Sequence, residues 1–162
     1  ITPEQAALIA AAPLFFVATA DPSLAPGPHG IGPVNMSPRG GVPLHVLSPT
    51  RVTFLDYAGS GNETARHLAA GSPITLMVCC FEAEDAAIVR LYGRARAVPL
   101  EESPLPEHLL AQRAPELRLP LRRVIDVAVE RTATSCGYGV PVLAPVRERT
   151  VDDRGRRYKE LR

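Results

Sequence analysis

The sequence predicts a mainly β protein of α+β character, an antiparallel β-barrel with short helices on its flanks. Three observations lead there. Short runs of β-branched and aromatic residues recur along the chain, about six or seven of them. Several are separated by brief turns, such as Pro38-Arg39-Gly40-Gly41 and Ser48-Pro49-Thr50, which suit antiparallel hairpins and leave no room for helical crossovers. Finally, 162 residues with 46% apolar content can bury one good core, so one domain is expected over residues 1–162.

The first element is a helix. Thr2 can cap it, Pro3 suits its first position, and Gln5 completes a capping box ahead of an Ala-rich run that Pro13 ends. Leu14–Ala20 then reads as a strand, followed by an irregular Pro/Gly-rich loop, Asp21–Gly32. Val34–Ser37, Leu44–Leu47 and Val52–Tyr57 are short strands. A second helix at about Glu63–Ala70 ends at Gly71-Ser72-Pro73, and Ile74–Glu82 reads as a buried strand. In the long strand Ala87–Val98, Arg90, Tyr92, Arg94 and Arg96 share one face, while Val89, Leu91, Gly93, Ala95 and Ala97 share the other. A proline-bounded helical piece, about Pro106–Arg113, leads to a last strand, Val124–Thr132. The charged segment from Glu148 to Arg162 reads as a tail, helical or frayed.

Composition narrows the function. Eighteen basic against seventeen acidic side chains give no electrostatic footprint for nucleic acid or a membrane surface, so the expected partner is a small molecule. The apolar runs Leu8–Val17 and Ile74–Phe81 are too short to span a bilayer, and no basic region precedes an apolar one at the N-terminus; the expectation is cytoplasmic. The three cysteines do not suggest a disulfide framework, since the neighbours Cys79 and Cys80 would point to opposite faces of a strand. His29, His45, His67 and His108 show no paired metal-ligand spacing with them, and no metal site is expected.

The most informative stretch is Asp56-Tyr57-Ala58-Gly59-Ser60-Gly61-Asn62-Glu63-Thr64, which joins a strand to a helix through a Gly-rich turn. Such a turn can admit an oxygen-rich anion, because the backbone comes close and the first helical N–H groups are unpaired. Ser60 and Thr64 add hydroxyls; the alternative is an ordinary capped connection. Strand, Gly59-x-Gly61, helix, strand and Glu82 also imitate a dinucleotide fingerprint, but Thr64 stands where a third glycine belongs and the other strands lack helical crossovers. Ser60 lacks a full nucleophile elbow, and neither His45 nor His67 can be placed beside it from sequence. Asp56 and Glu63 flank the turn as possible acid/base partners, although capping and solvation explain them more simply. Cys136 has no visible activating neighbour. Arg39, at a strand end with Ser37, could complete a phosphate site if the barrel brings it beside Ser60; a solvated turn arginine is the alternative.

Taken together, Val34-Asn35-Met36-Ser37-Pro38-Arg39-Gly40, Phe54–Leu68, Ile74-Thr75-Leu76-Met77, Arg90-Leu91-Tyr92-Gly93-Arg94 and Thr134–Pro141 resemble the pyridoxamine 5′-phosphate oxidase-like family of FMN-binding split barrels, in the motif order of an uncharacterised subgroup. The resemblance covers roughly residues 13 to 146. It implies a six-stranded split barrel, a homodimer with FMN in clefts at the subunit interface, and flavin oxidation or reduction as the chemistry. By the same resemblance Asn35, Met36 and Ser37 would lie beside the flavin ring, Arg39, Ser60, Asn62 and Thr64 around the phosphate, and Tyr138 at or near the ring. Many members carry a lysine where this chain has Thr64, so Arg39 or Arg66 would have to supply that charge. The C-terminal substrate-binding segment of true pyridoxamine 5′-phosphate oxidases has no match here, so vitamin B6 activity is not implied. The resemblance also leaves open a flavin-binding module without turnover, and the deazaflavin F420 or heme in place of FMN.

Overall fold

A computed structural model of the chain describes residues 1–58, 61–84, 86–105, 107, 121–149 and 153. Helix α1 spans Pro3–Ala11 and carries the full capping box: Gln5 N donates to Thr2 Oγ1, and Thr2 N donates to Gln5 Oε1. Seven strands follow: β1 (Leu14–Ala20), β2 (Val34–Gly40), β3 (His45–Ser48), β4 (Arg51–Tyr57), β5 (Pro73–Cys79), β6 (Ala87–Val98) and β7 (Leu121–Cys136), with α2 (Glu63–Ala69) between β4 and β5. The helical piece expected at 106–113 and most of the tail from 148 to 162 lie outside the described residues.

All seven strands form one antiparallel sheet in the order β2-β1-β5-β6-β7-β4-β3. The Ser48–Thr50 turn does make the expected β3–β4 hairpin. Pro38-Arg39-Gly40-Gly41 does not make one. Pro38, Arg39 and Gly40 continue β2, which pairs with β1, while β3 sits at the far edge of the sheet. Proline is tolerated there because β2 is an edge strand whose other side needs no ladder donor.

The sheet curls. β2 is first in the order and β4 is next to last, yet Arg39 of β2 and Asp56 of β4 are ion-paired, and Tyr57 Oη lies 3.5 Å from the Gly41 carbonyl. The two ends of the sheet therefore come together through side chains without strand pairing, which is the split of a split barrel. One core fills it, with Phe15, Val17, Phe54, Ile74, Leu76, Val89, Leu91 and Ile125 among its buried members. Phe15 and Phe54 meet edge to face at 5.1 Å between centroids, and burial of each such ring stabilises the fold by about 1.5–3 kcal/mol. β4 is buried on both faces because Leu55 and Tyr57 pack into a second cluster with Val42, Leu105 and Val124.

β6 departs from its expected alternation. The alternation holds through Arg96 and fails at the last two residues, where Ala97 is exposed and Val98 buried; separately, the register with β7 shifts between Tyr92 and Gly93, leaving Glu130 of β7 as an extra residue. Gly93 sits at this bulge with the Ala128 carbonyl so close that a Cβ would collide with it.

Candidate functional site

The inward face of β2 presents Asn35, Ser37 and Arg39 at alternate positions, as strand periodicity requires. Asn35 Nδ2 donates to Thr64 Oγ1 at 3.1 Å and so ties β2 to the first turn of α2. Arg39 Nη1 donates to Asp56 Oδ1 at 2.9 Å. The second oxygen of Asp56 lies 3.4 Å from Arg123 Nε on β7. Arg123 Nη2 in turn donates to Asn62 Oδ1 at 2.9 Å, and Arg122 Nη1 donates to the same oxygen at 3.0 Å. The result is a polar track, Thr64–Asn35–Ser37–Arg39–Asp56–Arg123–Asn62–Arg122, around the connection from β4 to α2.

Among the described residues two guanidinium groups, Arg39 and Arg123, share the single carboxylate of Asp56. Ser37 Oγ and Arg39 Nε are buried without a hydrogen-bond partner among the described residues, and the buried Arg123 Nε has the Asp56 carboxylate at 3.4 Å without hydrogen-bond geometry. Buried polar atoms are normally paired, and such orphans cost on the order of 1–3 kcal/mol each. A site that is cationic and short of acceptors fits an anionic oxygen ligand, and a phosphate has the required acceptor oxygens.

The structure thus brings together Asn35, Ser37, Arg39, Asn62 and Thr64. Ser60 falls outside the described residues. Asn62 occupies the N-cap position of α2, but its side chain makes no capping hydrogen bond and serves Arg122 and Arg123 instead. Arg66 turns away from the track: its Nη1 donates to Asp21 at 3.2 Å, and its Nη2 lies 3.0 Å from Nε2 of the fully buried His67, whose Nδ1 meets Thr19 Oγ1 at 2.9 Å. The arginines of the track are Arg39, Arg122 and Arg123. Met36 and Tyr138 are 64% and 93% exposed, on surfaces of the chain that do not meet the track.

Asp56 corrects the local reading. It is buried as the acceptor between two arginines, neither a solvated residue nor a helix cap. Arg122 and Arg123 were missed by sequence reasoning, since only strand pairing brings them beside β4. Their one visible signal is a pair of arginines directly ahead of the apolar run Val124–Val129. Among the described residues no group of three or more His, Cys, Asp or Glu is placed to hold a metal ion, and no helix is long and apolar enough to cross a membrane.

Comparison with known proteins places this geometry in a family. The family model described as pyridoxamine 5′-phosphate oxidase matches residues 1–136. A protein of Aspergillus flavus named pyridoxamine 5′-phosphate oxidase family protein ustO is 33% identical over 134 residues, covering 81% of this chain and 50% of its own length. The chain thus spans about half the length of this curated relative. In solved structures the fold recurs in a candidate pyridoxamine 5′-phosphate oxidase of Lactobacillus delbrueckii, with 21% identity, coverage of 82% of this chain and 93% of that one, and a TM-score of 0.58. HupZ of Group A Streptococcus gives 19% identity, coverage of 90% and 99%, and a TM-score of 0.56. These neighbours share the split-barrel fold, in which the seventh strand seen here is a minor variation on the six expected. The chain belongs to the pyridoxamine 5′-phosphate oxidase family.

Proposed function

We propose that this chain binds FMN and works as a flavin-dependent oxidoreductase on a small molecule. The observation that carries the reading is the cationic track: Ser37 Oγ and Arg39 Nε, buried and without acceptors among the described residues, beside a carboxylate shared by the guanidinium groups of Arg39 and Arg123. Arg39 and Arg123, with Ser37, Asn62 and Arg122, would hold the phosphate, and Asn35 would face the flavin ring from β2. The bound flavin would supply hydride or electron transfer at its N5. The residues of the chain bind and orient it; a side-chain acid or base is not needed for that role.

We further propose a homodimer, acting in the cytoplasm, with the cofactor at the subunit interface. The exposed apolar residues Val34 and Met36 on the edge strand β2 and Tyr138 after β7 support it, because such surfaces gain by being covered.

The test is the absorbance spectrum of the purified protein, followed by titration with FMN, F420 and heme. Saturable FMN binding with bleaching by NAD(P)H is the expected result. Binding that no donor reduces would replace the enzyme with a flavin-binding module, and preferential binding of F420 or heme would replace the cofactor. Absence of saturable flavin binding would remove the FMN reading.

A further inference from the structure

A cavity of about 750 Å³ opens between α1 and the end of the β5–β6 hairpin, and none of its lining residues belongs to the polar track. Its volume suits a whole small organic molecule. The sequence accounts for the space: Ala7 and Ala11 of α1 and Ala12 at its C-cap put only short side chains along this side and leave volume unfilled. Leu8, Val89 and Leu143 make apolar walls. Leu143 is held in place by its N–H, which donates to the Phe81 carbonyl at 2.9 Å, so the segment after β7 closes one side. Gln5 Nε2 donates to Thr134 Oγ1 at 3.0 Å, which satisfies two polar groups at the lining.

The charged residues that line this cavity have one sign, while Arg90, bonded to Ser135 Oγ at 2.9 Å, lies behind the lining residues Cys79 and Thr134. Its charged lining residues are Glu4, Glu82 and Glu84, all exposed at the rim, and among the described residues no lysine, arginine or histidine lines it. Hydrogen bonds from its own backbone N–H and from Thr2, in the first turn of α1, hold the Glu4 carboxyl below the usual carboxylate range. Burial pushes the Cys79 thiol up, so this lining group stays neutral. An apolar interior under a carboxylate rim repels fatty acids, nucleotides and flavin phosphates alike, and it complements an apolar body that ends in a positive charge.

We propose that this cavity is a second binding site, for an organic cation whose apolar body lies between α1 and the β5–β6 hairpin and whose ammonium group meets the glutamates. It stands independently of the flavin site. Each exposed carboxylate contributes modestly, and three together favour the cation over a neutral isostere by about tenfold.

The experiment uses two fluorescent probes with the same body, dansylcadaverine and its N-acetylated, uncharged form, titrated into the full chain at low and high salt. Expected is saturable binding with a blue-shifted emission, about tenfold tighter for the amine, with the difference shrinking as salt rises. In the double variant Glu82→Gln/Glu84→Gln the amine should lose most of its advantage while the neutral probe is unchanged. Ala11→Phe, at an exposed helix position, should fill the cavity and weaken both probes. FMN titration in the same variants should be unaltered, so failure here and failure of the flavin reading are told apart. Equal affinities for the two probes, an amine preference that survives the double glutamine variant, or the lack of saturable binding would each overturn the proposal.

Discussion

Arg39 Nη1 and Asp56 Oδ1, 2.9 Å apart, join β2, first in the sheet order, to β4, next to last. Closing the barrel and assembling the cationic track are therefore one event. Asp56 also occupies the guanidinium groups that a phosphate would need, so it competes with the ligand while it holds the site together. Asp56→Asn is expected to lower stability by about 1–3 kcal/mol, since Arg39 and Arg123 lose their charged acceptor. It should also raise affinity for inorganic phosphate. Denaturant unfolding and a phosphate titration check the two halves, and weaker phosphate binding in the variant would contradict the competition.

Arg39→Ala and Arg123→Ala should each weaken FMN binding by about 1.5–3 kcal/mol, the worth of a charge-assisted hydrogen bond. Riboflavin, which lacks the phosphate, should bind these variants almost as well as the parent. Arg66→Ala should leave the difference between FMN and riboflavin intact, because Arg66 is engaged by Asp21 and His67. Parallel loss of FMN and riboflavin in Arg39→Ala would assign that residue to the fold alone.

His67 is completely buried, and Thr19 Oγ1 is the partner of its Nδ1. Thr19→Val keeps the shape of the side chain but removes that partner. It should cost on the order of 1–3 kcal/mol, while Thr19→Ser should keep most of the stability. Thermal unfolding of the two variants side by side reads the difference.

Asp126 supplies a pH dependence. Hydrogen bonds from Arg51 above all, and from Arg96, hold its carboxyl below the usual 3.8 against the opposing effect of burial. A depressed folded-state pKa gives stabilisation that is complete above the unfolded value and is lost as pH falls through the lower, folded one. The stability gap between the parent and Asp126→Asn should therefore be constant near neutrality and narrow as pH falls below about 4. A gap that held constant into stronger acid would show that the carboxylate charge is not its source.

Tyr138 stands 93% exposed just beyond β7. If it packs at the flavin cleft between subunits, Tyr138→Ala should alter FMN affinity and the flavin spectrum while the dimer persists. Light scattering at low protein concentration should report a dimer; a monomer that binds FMN tightly would separate cofactor binding from assembly.

The sequence by itself determined the elements whose causes are local. Thr2, Pro3 and Gln5 specify the start of α1 within one turn, and the capping box is present as read. The β-branched and aromatic residues of Leu14–Ala20 and the turn at Ser48–Thr50 likewise identify β1 and the β3–β4 hairpin from neighbouring residues. Asn35 and Ser37 fell within an expected strand and Arg39 in a turn after it; the structure carries the strand on through Arg39, and one face of it turns toward Thr64 and Asp56. Tertiary structure decided the rest. Pro38–Gly40 looked like a hairpin turn because proline and glycine signal turns locally, yet an edge strand accepts both, and β2 instead pairs back onto β1. The pairing of β6 with β7 shifts at Gly93 because an extra residue, Glu130, lies in the partner strand. Asp56 looked like a cap because its sequence neighbours are a turn and a helix, whereas its real partners come from β2 and from β7. Periodicity and capping act over a few residues, so one sequence displays them; an ion pair across a closed barrel depends on which strands adjoin, and that is settled only when the whole sheet packs around its core.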